Sequence, residues 1–221
     1  MLLARFTRRG RRMAMRDCDG PAHVFRSGSF LFRTPTQAEC WAGNAAGSDP
    51  EAQRWLGWLP PSIVAAEFRD HYLRVVPGSG IGFSGSEAVD LVMIDLAANR
   101  CAGLVSVHQG AGGSPETGGY LAPAYRGRGL GRELFAAGIR LGHEHLGLTR
   151  VRAGVEVGNF ASIRSLEAAG MAQVDGPPLH TLPNGEKIVS LWYQHDSPSA
   201  RRCTGPQRTW YTAPSDVALP G

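Results

Sequence analysis

The sequence predicts a mixed α/β fold, a single partly antiparallel sheet flanked by helices with a parallel pair of strands bracketing one of them. Three observations carry this. Val89–Leu96 and Cys101–Val107 are apolar runs joined by a short Ala97-Ala98-Asn99 turn, the pattern of an antiparallel hairpin. Leu130, Leu134, Ala137, Leu141 and His145 recur at helical spacing and form one stripe. Val151, Ala153, Val155 and Val157 then alternate with Arg152, Gly154 and Glu156, the period of a strand with one buried face. Hairpin followed by strand–helix–strand gives one sheet of mixed direction.

The elements follow in order. Residues 1–27 are expected to be a basic, unstructured arm. Phe30, Leu31 and Phe32 make Ser29–Thr34 a first strand, and Thr36–Gly47 reads as a helix. Asp49 suits an N-cap and Pro50 a first helical position, which starts a second helix running through Trp55. Pro60-Pro61-Ser62 is expected to open a third that continues to Val75. Pro77–Gly85 and Gly110–Pro115 are glycine loops. Thr117–Pro123 is a strand, Gly129–His145 a helix and Val151–Val157 a strand. Asn159 caps a helix from Phe160 to Ala169, which Gly170 ends. Ile188–Tyr193 is the last strand. The expected organisation is therefore an arm (1–27), a folded domain (28–196) and a tail (197–221).

Composition narrows the function classes. The 221 residues, 43 % hydrophobic, suffice for one well-buried domain. No run of about 18 apolar residues is present to span a membrane, and no apolar stretch follows the first arginines to make a secretory signal. A cytoplasmic location is expected, although an Arg-rich, acid-free start is also a feature of mitochondrial-type presequences. The net charge of +4 is uneven. Arg5, Arg8, Arg9, Arg11, Arg12 and Arg16 concentrate positive charge in the arm, and Arg201, Arg202 and Arg208 in the tail, so the body is acidic. Nucleic-acid contact is expected, if anywhere, only through that arm. Cys18, Cys40, Cys101 and Cys203 form no C-x-x-C pair and read as reduced thiols. His143 and His145 stand two apart on a helix and diverge, so no metal site is expected.

The chemistry-bearing segment is Arg126-Gly127-Arg128-Gly129-Leu130-Gly131, between a strand and a helix. The first N–H groups of a helix lack intrahelical partners and lie at the positive end of its dipole. Glycines let an anion approach the backbone, and Arg126, Arg128 and Arg132 add charge, so the segment describes an anion cradle. It is not a P-loop, because the only lysine in the chain is Lys187. It is not a dinucleotide fingerprint either, because the third glycine of G-x-G-x-x-G would fall on Arg132 or Leu134.

The order R-x-x-G-x-G resembles the signature of the GNAT acetyltransferase superfamily. A second segment strengthens the likeness: Asn159, Ser162, Gly170 and Met171 resemble that family's N-x-x-S…G-F stretch, with Met171 in place of the aromatic. The serine after the asparagine, and the early Asp49–Gly57 helix, are most like the branch that acetylates the N-termini of ribosomal proteins. The resemblance runs from about Ser29 to Gln194. It implies splayed parallel central strands that hold acetyl-CoA. Leu121 and Ala122 would contact pantetheine and the acetyl carbonyl, and Arg126, Gly127, Arg128, Gly129, Leu130, Gly131 and Arg132 would hold the pyrophosphate. Asn159 and Ser162 would lie near the sulfur. The implied reaction is direct attack of a primary amine on the thioester in a ternary complex.

The catalytic groups are less fully specified. The tyrosine that many relatives use to protonate the thiolate is replaced by Leu166; Ser162 is the candidate for that contact. Glu116 and Glu156 are candidate bases, with His108 and a water chain as others. An ungapped comparison places Thr117, not Glu116, at the family's glutamate position, and one residue of slip reverses the strand face. The acceptor could be a protein N-terminus or a small-molecule amine, bound between the early helices and the Pro77–Gly85 loop. A homodimer is an allowed assembly. The other function class is a non-catalytic acyl-CoA binder or a ribosome- or RNA-associated protein.

Overall fold

The structure is a computed structural model that describes residues 23–75, 88–110 and 113–198. The Pro77–Gly85 loop and most of the expected arm and tail lie outside the described residues. Among the described residues nine strands form the sheet: β1 Val24–Ser27, β2 Phe30–Arg33, β3 Ala88–Asp95, β4 Arg100–Gln109, β5 Pro115–Leu121, β6 Arg150–Glu156, β7 Ala172–Val174, β8 Leu179–Thr181 and β9 Lys187–Asp196. Their order is β1-β2-β3-β4-β5-β6-β9-β7, with β8 paired to β9. Every pairing is antiparallel except β5 with β6.

Five α-helices of the described residues pack on the two faces: α1 Gln37–Gly47, α2 Pro50–Leu56, α3 Ala66–Leu73, α4 Gly131–Arg140 and α5 Phe160–Ala168. Glycines bring them close. A Cβ at Gly43 of α1 would collide with Leu104 of β4, and one at Gly138 of α4 would collide with Thr117 of β5. Thus α1 covers one face of the central strands and α4 the other. Phe135, Ile139, Ala153, Val155, Leu166, Met171 and Tyr193 form a core between α4, α5, β6 and β9. Of the predicted stripe, Leu134, Ala137, Leu141 and His145 lie inside and Leu130 is half-buried.

The local chemistry of the early helices matches the sequence. Thr36 and Glu39 form a capping box on α1, and Glu39 also accepts from Arg33 at 2.8 and 3.0 Å. Asp49 caps α2, with Pro50 at its first position and Gly57 in the left-handed region at its end.

Four expectations need correction. Val24–Ser27, assigned to the arm, is β1, held by its pairing with β2. The single helix expected from Pro60 to Val75 is a 3-10 turn, Pro60–Ser62, followed by a separate α3. The break has a tertiary cause: the Val64 N–H donates to Ser48 Oγ at 2.8 Å instead of continuing a helix. The helix expected through His145 changes to a π-turn over Leu141–His145, closed by Leu146 N–H to the Leu141 carbonyl at 3.0 Å. His143 meets His195 at 3.0 Å and His145 meets His23 at 3.2 Å, so the two histidines do diverge. The three-residue strands β7 and β8 were not foreseen.

Among the described residues no three His, Cys, Asp or Glu could hold a metal, and no helix is long and apolar enough to cross a membrane.

Candidate active site

The glycine turn follows β5 through a 3-10 turn, Pro123–Tyr125, whose Tyr125 hydroxyl donates to Asp95 at 3.0 Å. Gly127 and Gly129 have φ of 71° and 75°, a conformation that strains any L side chain. A Cβ on either would meet nothing within 4 Å, so the turn borders open space. Leu130 supplies no side-chain cap to α4. The first N–H groups of that helix thus lack a side-chain cap beside this turn. Gly131 has a different role from the one expected. A Cβ there would collide with Ser165 of α5, so it serves helix packing.

The arginines divide. Arg132 is exposed beside the turn, and Arg128 lies over the Tyr125 ring at 5.5 Å. Arg126 departs from expectation. Its Nη atoms bind Asp49 at 2.8 and 2.6 Å, and its Nε donates to the Leu121 carbonyl at 2.9 Å. Its guanidinium is committed to α2 and to β5 rather than presented to a phosphate.

Beside the turn the sheet opens. The parallel ladder between β5 and β6 has a single rung, Glu116 with Arg152. Beyond it the strands separate, leaving backbone groups free to meet a ligand. Which groups point into the gap follows from strand alternation. The Ala122 N–H donates to the Ala102 carbonyl at 2.8 Å, and the Ala122 carbonyl accepts from Tyr125 at 2.9 Å. Ala122 therefore faces β4, and the alternate residues Gly119 and Leu121 face the gap. With the Leu121 carbonyl held by Arg126, the groups directed there are the Leu121 N–H and both groups of Gly119. Leu121 and Gly119 thus border the gap, while the Ala122 N–H is used in the β4 pairing. A Cβ at Gly119 would press on the Leu104 carbonyl at 2.7 Å, which explains its glycine.

Across the gap, Val157 N–H bonds to the Val189 carbonyl at 3.1 Å, so by the same alternation Gly154 and Glu156 of β6 direct backbone groups toward β5. Asn159 caps α5 by accepting from Ser162 N–H at 3.1 Å, and both side chains are half-buried at the helix start. Leu166, at the family's tyrosine position, is 1 % exposed within the core.

The α1 face of the gap holds the remaining candidates. Glu116, Gly118 and Tyr120 alternate onto this face, because Thr117 and Gly119 contact α4. Glu116 is 6 % exposed, and its carboxyl packs against Gly110 with His108 Nε2 at 4.0 Å. Burial raises its pKa above the usual carboxylate value, against the opposing pull of Arg152. A Cβ on Gly118 would meet nothing within 4 Å, so an open space lies between Glu116 and Tyr120. Tyr120 packs edge-on against Trp58, and Arg152 lies over Trp192 at 5.0 Å. Glu156 shares this face but stands four residues past Arg152, about 13 Å along the strand. It belongs to the wide end of the gap. The two candidate bases are thus not brought together.

This geometry can be set against known proteins. Residues 30–172 match the family model described as acetyltransferase (GNAT) domain. No curated protein matches at a significant level. Solved structures share the fold at low identity. A GNAT-family acetyltransferase from Bacillus anthracis is 19 % identical with a TM-score of 0.57, covering 79 % of this chain and 98 % of that one. A ribosomal-protein alanine acetyltransferase from Vibrio fischeri is 16 % identical, TM-score 0.56, covering 81 % and 99 %. A spermidine N-acetyltransferase from Vibrio cholerae, solved with CoA and spermine, is 15 % identical, TM-score 0.57, covering 76 % and 95 %. With both signature segments at the split between its parallel strands, the chain belongs to the GNAT acetyltransferase family.

Proposed function

We propose that the protein transfers an acetyl group from acetyl-CoA to a primary amine, with the amine entering over Gly118 beside Glu116. The observation that carries this reading is the single-rung β5–β6 pairing, which opens a gap between the bare start of α4 and a buried carboxylate. The residues fit the cofactor: open left-handed glycines at 127 and 129 suit a pyrophosphate, and Gly119 and Leu121 suit the amides of pantetheine.

Bound acetyl-CoA supplies an activated acyl carbon and a thiolate leaving group. The Glu116 carboxylate accepts a proton from the incoming ammonium, and its burial brings its pKa closer to neutrality, where a general base works best. The Leu121 and Gly119 N–H groups stabilise negative charge that develops on the acyl oxygen. Ser162 donates to the departing sulfur, the role left open by Leu166. Glu156 acts at most on the cofactor's approach. No covalent enzyme intermediate is required, and the buried Cys40 and Cys101 take no part.

The acceptor classes are a protein N-terminus and a small-molecule amine, as in the solved relatives. A second reading, a non-catalytic acyl-CoA binder, is favoured by Leu166. Turnover of acetyl-CoA with a panel of N-terminal peptides, polyamines and amino-sugar antibiotics separates them. Acetylated product supports the enzyme; CoA binding without turnover of any amine supports the binder.

A further inference from the structure

Arg126 opens the anion turn in sequence, yet its guanidinium is bound to acidic side chains and to a strand carbonyl. Four hydrogen bonds fix the side chain. Nη1 and Nη2 bind the two oxygens of Asp49 at 2.8 and 2.6 Å, Nη1 also reaches Glu51 at 3.3 Å, and Nε holds the Leu121 carbonyl at 2.9 Å. The fork is largely shielded, with side-chain exposures of 23 % for Arg126 and 12 % for Asp49. Paired, shielded, bidentate contacts of this kind are among the strong ones. The partners lie 77 residues apart and join two elements that otherwise belong to opposite sides of the site.

Asp49 is not an isolated side chain. Its Oδ1 also caps α2 through Ala52 N–H at 3.2 Å. Gln53 ties α2 to the end of α1, donating to the Gly47 carbonyl at 2.6 Å and accepting from Trp58 N–H at 3.1 Å. Ser48 bonds back to Asn44 and accepts from Val64. Gly47 itself lies under Trp58 and Tyr120, where a Cβ would collide with both rings. The α1–α2 corner is thus one braced body seated on β5, and Arg126 is its link to the turn.

We propose that Asp49 is a positioning residue for the cofactor site: it fixes Arg126, and through Arg126 the Leu121 carbonyl and the 126–132 turn, so that the acceptor-side helices and the cofactor turn move as one unit. The inference rests on the acetyl-CoA reading above. It has two consequences. The Leu121 carbonyl is already paired with Arg126, leaving only the Leu121 N–H free to face the acyl oxygen. An acceptor that shifts α2 alters cofactor affinity, and by linkage the cofactor alters acceptor affinity by the same factor.

The test uses the full chain and calorimetric titration with CoA. Asp49→Asn keeps an oxygen to cap α2, since asparagine is as good an N-cap as aspartate, but loses the charged fork. It is expected to weaken CoA binding about tenfold, as a small misplacement of a remote positioning group does. The acetyl-CoA KM rises in step while kcat changes by less than about twofold, the pattern of lost uniform binding. Arg126→Gln gives the same loss, and the double variant is no worse than either single, because the two act as one latch. Arg126→Lys leaves the α2 cap untouched and loses the fork together with the Nε bond to Leu121; it too weakens CoA binding. Wild-type CoA affinity in Asp49→Asn or Arg126→Lys, tighter binding in either, or additive losses in the double variant overturns the latch. Absence of CoA binding by the wild-type chain is a different result: it removes the acetyl-CoA reading, and the latch falls with it.

Discussion

On the proposed reading, the two halves of the site are built in different ways. The cofactor half is backbone: two left-handed glycines, an uncapped helix start and strand groups exposed where a ladder stops after one rung. The acceptor half is side chains drawn from distant elements: Trp58 from the α2–α3 connection, His108 from β4, Glu116 and Tyr120 from β5, Arg152 from β6 and Trp192 from β9. Backbone geometry is dictated by neighbours in sequence, so a short motif encodes it. A side-chain surface depends on register and faces, which only the folded sheet defines. The family relationship accordingly specifies the donor and leaves the acceptor to this chain's own residues.

That contrast predicts separable effects. Glu116→Gln removes the base and leaves the backbone cradle intact: kcat falls by about 10² or more with CoA affinity unchanged. An equal loss of CoA binding would place Glu116 on the cofactor side. In the wild type, kcat rises with pH through a value above the usual 4.5 of a glutamate, in the direction that burial imposes, and Glu116→Gln abolishes this limb.

The far end of α4 supplies a control with no part in either half. Burial and the neighbouring His145 push the His23 imidazole down from 6.5 to about 4. The folded form therefore binds protons more weakly than the unfolded chain. Stability holds above pH 6.5 and falls as pH drops toward 4. Denaturant titrations of wild type and His23→Gln across that range measure it; equal slopes would remove His23 from the account.

Gly129→Val places a β-branched residue at φ 75° and raises the CoA Kd by about fivefold to thirtyfold, consistent with roughly 1–2 kcal/mol of left-handed strain. Gly118→Val has the opposite selectivity. It fills the space between Glu116 and Tyr120, raising the acceptor KM by about tenfold with CoA affinity unchanged. An effect of Gly118→Val on CoA alone would reverse the assignment of the two faces.

Legibility followed the same division. The hairpin, the α4 stripe and the turn could be read because each lies within a short window. The break before α3 could not, because its cause is Ser48, sixteen residues away. Nor could the π-turn, which histidine pairs with β9 and with His23 accompany. Arg126 looked like a phosphate ligand because sequence carries its charge and not its direction; Asp49 is what turns it aside. Ala122 was grouped with Leu121 because adjacent strand residues cannot be assigned to opposite edges until one hydrogen bond is known. Glycines 119 and 131 carried a visible signal, being glycines in a strand and at a helix start, but their reasons, Leu104 and Ser165, are tertiary.

The most direct test of the central claim is calorimetric titration of the full chain with CoA, alone and after Gly129→Val. One CoA is expected to bind per chain, with affinity reduced in the variant. No heat of binding to the wild type, or equal affinity in both, would contradict an acetyl-CoA site at this turn.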